Sequence, residues 1–95
     1  MGNSRIPMRA REVAREHGHG DGGHLVHAVM YEHLPWGDSK RRMVFILQYA
    51  EEHGRIIRDT RHTWRYSGRN LDQAKKDWDD VVTLLKGARK PGCCA

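Results

Sequence analysis

The spacing of apolar positions changes twice along this chain. Residues 4–17 read SRIPMRAREVAREH; Ile6, Ala10, Val13, Ala14 and His17 recur at helical spacing, with Arg9, Arg11, Glu12, Arg15 and Glu16 between them. A stripe of that period predicts an amphipathic helix. Ser4 suits its cap, Pro7 its first turn and Gly18 its C-terminal stop. Four glycines in residues 18–24 then make a loop. From residue 25 the alternation is that of strands. In LVHAVMYEH, Leu25, Val29 and Tyr31 share one face, and Val26, Ala28 and Met30 the other, with a short helix as the alternative. Leu34-Pro35-Trp36-Gly37-Asp38 is turn chemistry.

Residues 42–52, RMVFILQYAEE, alternate Met43, Phe45, Leu47 and Tyr49 with Val44, Ile46, Gln48 and Ala50. Val-Phe-Ile favours a strand. The rival reading for residues 39–53 is a helix capped by Ser39 and stopped by Gly54, which makes the chain an all-α four-helix bundle. His53-Gly54 favours the strand, because X-Gly between extended segments suits a tight hairpin. Residues 55–66 return as the next strand, and residues 67–70 turn the chain. Helical period resumes with Leu71, Ala74, Trp78, Val81, Val82 and Leu85; Asp72 and Lys86 sit where the helix dipole prefers them. The expected fold class is α+β: a three-stranded antiparallel sheet flanked by N- and C-terminal helices. It forms one domain over residues 1–90, with 91–95 a disordered tail.

At 95 residues and 38% hydrophobic content, the core is small and the surface very polar. A formal charge of +5 favours anionic partners without choosing among them. Cys93 and Cys94 are adjacent and cannot staple a core. That fits a reducing cytosol, so the expected location is cytoplasmic. No stretch approaches the ~20 apolar residues of a membrane helix.

The α-β-β-β-α order resembles the double-stranded-RNA-binding domain over roughly residues 5–87. Arg11-Glu12-Val13-Ala14 followed by Gly18 is similar to the end of that family's first helix, where a Glu faces the RNA minor groove. Gly37-Asp38-Ser39-Lys40-Arg41-Arg42 stands at the family's loop between its first two strands. The chain departs from the pattern twice. It lacks the Pro-x-His of that loop. Of the Lys-Lys-x-Ala-Lys cluster opening the second helix, Leu71-Asp72-Gln73-Ala74-Lys75 keeps only Lys75, with Lys76 beside it. The resemblance implies recognition of structured RNA by shape and phosphate contact, without a cofactor or catalysis.

The expected nucleic-acid surface therefore gathers Arg9, Arg11, Glu12 and Arg15, then Lys40, Arg41 and Arg42, then Arg69, Lys75 and Lys76, all on one side. The other candidate is a protein interface. Two helices cover one face of a three-stranded sheet, so an apolar face is left for a partner or for a second copy as a homodimer. Met43, Phe45, Leu47 and Tyr49 are its expected residues. This suits a dimeric adaptor or a small inhibitor from a mobile element. His17, His19, His24, His27 and His33 with Asp21 match no closed metal motif, and Asp59, His62 and Tyr66 are the nearest approach to a catalytic set.

Overall fold

The computed structural model describes residues 6–20 and 24–87. Four strands, β1 (Arg11–His19), β2 (Leu25–His33), β3 (Met43–Glu52) and β4 (Arg55–Ser67), precede one helix, α1 (Leu71–Gly87). Short 3-10 turns occupy Pro35–Gly37, Ser39–Arg41 and Gly68–Asn70. The strands form an antiparallel meander in the order β1-β2-β3-β4.

The class is α+β, but its detail differs from the α-β-β-β-α expectation. The expected N-terminal helix is an edge strand, and the sheet has four strands where three were expected. Gly18 is no helix stop; it is buried within β1. The all-α bundle is excluded by the same sheet. Residues 43–52 are a strand, and His53 (φ 53°) with Gly54 (φ 79°) forms the tight turn. Two successive positive φ values are what a type I′ hairpin demands. The expected tail at 91–95 lies outside the described residues.

The registers sort the side chains into two faces. Ala14, Met30, Ile46 and Trp64 lie in one row across the sheet, and Arg15, Val29, Leu47 and Thr63 in a row on the opposite face. The helix covers the first face. There Val44, Ile46, Tyr66 and Ala74 form a buried cluster, with Met30, Leu71 and Trp78 packed against it. The second face is apolar at its centre. Val29 and Phe45 are buried and Leu47 is 7% exposed.

Two contacts tie α1 down. Two turns into the helix, the Tyr66 hydroxyl donates to Asp77 Oδ2 at 2.6 Å, and Gln73 Nε2 donates to Oδ1 of the same carboxylate at 2.8 Å. At its end, the Leu85 carbonyl passes so close to Gly18 that a β-carbon there would lie 2.6 Å from the Leu85 oxygen. A side chain on residue 18 would push the helix off the sheet.

Gly18→Ala is expected to cost about 1–3 kcal/mol, the range for inserting a group into a packed contact, read from urea unfolding. A loss under a few tenths would mean that the helix end is not held there. Tyr66→Phe tests the other tie. Donation from Tyr66 and Gln73 holds the Asp77 carboxyl below its usual range, and burial with the Asp77 bond pushes the Tyr66 phenol up. A depressed carboxyl stabilises the fold above its unfolded value and stops doing so as pH falls through the folded one. A raised phenol stabilises below its unfolded value and stops as pH rises. Tyr66→Phe should therefore cost about 1–2 kcal/mol near neutrality. The gap from wild type should narrow below about pH 4 and above about pH 10. A gap that ignores pH would detach the effect from this bond.

Candidate nucleic-acid interface

The expected basic residues arrive on the sheet by a different route from the expected one, and they separate. Arg11 pairs with Glu32 across the β1–β2 ladder, and Glu32 pairs with Val44. Arg11 thus lies on the face that carries α1. Glu12 and Arg15 lie on the other face, because Val13 is an extra residue inserted at a bulge between Glu12 and Ala14. Arg15 grips Glu12 through Nε and Nη2, both at 2.9 Å. That pairing holds the Glu12 carboxyl below its usual range, and Glu12 and Tyr49 raise the Arg15 guanidinium further. Glu12 and Arg15 are spent on each other, away from the remaining cations.

Two grooves hold most of the other cations. One, of about 690 Å³, runs between Arg9 and Arg11 on one side and the turn Leu34–Gly37 on the other. The second, of about 810 Å³, lies between α1 and the start of β3. Arg42, Lys75 and Lys76 stand around an apolar floor that includes Met30, Leu71 and Trp78, with Asp72 and Asp79 on its rim. Glu32 joins the two. One carboxylate oxygen is 3.4 Å from Arg11 Nη2, and the other is 2.7 Å from Arg42 Nε. One anion thus aligns two guanidinium groups that would otherwise repel. Lys40 is exposed in the turn before β3, and Arg69 is exposed in the turn before α1, lining neither groove.

Trp36 is the residue that sequence reasoning missed. It is 86% exposed at the tip of the β2–β3 connection, beside the first groove. Its φ is 52°, a left-handed conformation that a bulky residue adopts only at a cost. The turn is held from below. Gly37 N–H donates to the Leu34 carbonyl at 2.9 Å, Asp38 N–H to Pro35 at 2.9 Å, and Lys40 N–H to the Asp38 carboxylate at 2.9 Å. The Arg41 guanidinium sits 5.4 Å from the indole centroid, a cation–π distance. An indole held in water beside arginines presents an open π-face. The signal for it in the sequence was an aromatic between Pro35 and Gly37 followed closely by Lys40-Arg41-Arg42.

The other candidates fall differently. Met43, Phe45, Leu47 and Tyr49 do share the face opposite the helix, yet Phe45 is 1% exposed and Leu47 7%, so the centre of the expected apolar interface is buried. Tyr49 stacks on His27 at 4.9 Å, and His27 Nε2 is 2.7 Å from Glu51 Oε1. His17 lies 6.2 Å from His27 between ring centroids. Among the described residues, no three His, Cys, Asp or Glu side chains are placed to share a metal ion. Tyr66 spends its hydroxyl on Asp77.

Strain at Trp36 is testable apart from any ligand. Trp36→Gly relieves the left-handed backbone and removes an exposed ring. The variant should be as stable as the parent or up to about 1 kcal/mol more stable by denaturant unfolding. A loss above about 1 kcal/mol would show that the indole serves packing. No family profile, curated protein or solved structure matches this chain.

Proposed function

We propose that this chain is a small nucleic-acid-binding module that grips the phosphates of an unpaired strand and stacks a base on Trp36. The observation that carries this reading is the exposed indole standing beside the Arg9–Arg11 groove with Arg41 against its ring. Single-strand binders combine a cationic track with aromatic platforms, and stacking is worth about 1–3 kcal/mol per base. Arg9, Arg11 and Arg41 lie on the Trp36 side; Arg42, Lys75 and Lys76 continue the track past Glu32. Duplex RNA offers its stacked bases no access to such a ring, so unpaired nucleotides, free or in the loop of a folded RNA, fit better. The protein-partner reading loses its exposed apolar surface through the burial of Phe45 and Leu47. No described helix is long and apolar enough to cross a membrane. A reducing cytoplasm is the location that suits a chain whose cysteines, Cys93 and Cys94, are adjacent.

The test is fluorescence anisotropy with a labelled single strand of about 12 nucleotides and a duplex of about 20 base pairs, at several salt concentrations. The single strand should bind more tightly, with a log–log salt slope of about −0.7 per phosphate neutralised. Trp36→Gly should weaken it by about 5- to 150-fold, equivalent to 1–3 kcal/mol, while leaving the slope unchanged. Arg11→Glu with Lys75→Glu should flatten the slope and abolish measurable binding near physiological salt. If both variants bind like the parent, or the parent binds neither probe at low salt, the reading is wrong.

A further inference from the structure

β1 is an edge strand, paired with β2 on one side, and among the described residues no strand pairs with its other side. A free edge is a template for another strand unless its side chains forbid it. The two edges of this sheet differ in that respect. β4 carries Arg55, Arg58, Arg61 and Arg65 against one acid, Asp59, so no register of β4 against itself cancels its charge. β1 begins Arg11-Glu12-Val13-Ala14-Arg15-Glu16, in which charge reads alike with opposite signs from its two ends.

The bulge makes that pattern usable. In a two-fold antiparallel pair, residues directly opposite each other point to the same face. In a regular strand Glu12 and Arg15 would point to opposite faces, and so would Arg11 and Glu16. The extra residue, Val13, shifts the alternation by one. Glu12 and Arg15 then share the face opposite α1, and Arg11 and Glu16 share the α1 face. With Ala14 on the two-fold axis, Glu12 of each copy falls opposite Arg15 of the other, and Arg11 opposite Glu16. Both faces match at once. Val13, 46% exposed and without a partner on β2, lies beside the axis in both copies. Glu16 has no ion-pair partner among the described residues, whereas Glu12 and Arg15 would exchange their mutual pair for the equivalent one between copies.

We propose that β1 is a self-recognition edge: a second copy of this chain adds its β1 antiparallel about Ala14, joining two four-stranded sheets into one. Backbone hydrogen bonds supply the attraction, as in strand addition generally, and the charges select the register. The inference does not rest on nucleic-acid binding: Arg11 figures in both, but the deciding positions Glu12, Ala14 and Arg15 line neither groove.

Sedimentation velocity on the full chain should give twice the chain mass. Glu12→Arg and Arg15→Glu each place like charges opposite one another and should each sediment as a single chain, with unchanged circular dichroism. Mixed in equal amounts they should form a dimer of one copy each, because on the face opposite α1 two positive side chains then meet two negative ones while the Arg11–Glu16 pairs are unchanged. Repair of a pair within one chain cannot produce that result. Should either variant fail to fold, Ala14→Cys in a background with Cys93→Ser and Cys94→Ser decides. Mild oxidation should link two copies through position 14, whereas Arg11→Cys in that background, lying off the axis, should not link. A parent of single-chain mass, folded charge variants that stay dimeric, a folded mixture that stays monomeric, or no preference for position 14 over position 11 overturns the proposal.

Discussion

β3 is apolar on both of its faces, and the rest of the molecule is arranged around keeping water from it. Val44 and Ile46 on one face and Phe45 and Leu47 on the other are all buried. A strand of that kind is stable only in the middle of a sheet with something on each side. β2 and β4 flank it, and α1 lies across the Val44–Ile46 face. One helix has to cover four strands, so it must lie close and at a fixed angle. Tyr66 with Asp77 fixes its first half, and the missing side chain at Gly18 admits its end. Among the described residues every buried side-chain polar atom finds a partner, so the packing carries no unpaired side-chain polar group there.

The candidate interface follows from that arrangement. Where α1 begins, it leaves a gap against the start of β3, and Arg42, Lys75 and Lys76 border the gap because the chain passes it twice. Glu32 lies between this gap and the groove below Trp36, and neutralises part of the repulsion that would splay Arg11 from Arg42. The indole stands outside every packed layer, on backbone in a costly conformation. A residue kept exposed and strained contributes little to the fold.

Much of this was legible in the residues. Alternation marked β2 and β3, His53-Gly54 marked the hairpin and with it the returning β4, and the stripe from Leu71 to Leu85 marked α1. β1 was not legible, for two physical reasons. Arg, Glu and Ala are helix formers, and propensity is a weak prior that pairing along a sheet overrides. The bulge at Val13 also breaks the period of two, so the segment shows a helical spacing that the structure does not use. The resemblance to an α-β-β-β-α domain depended on that segment, and the observed order is β-β-β-β-α. Trp36 was visible only as turn chemistry, because exposure of an aromatic is a property of where a turn ends up.

The sequence by itself determined the class, the central apolar strand, one tight hairpin and the C-terminal helix, since each follows from local periodicity and turn chemistry. The tertiary structure decided that residues 11–19 are an edge strand and that Arg15 and Glu12 turn away from the other cations. It also decided that Phe45 and Leu47 are buried and that Trp36 is not. Those outcomes depend on which strand finds which neighbour and in what register. That is settled by packing between distant segments, and no short window of residues contains it.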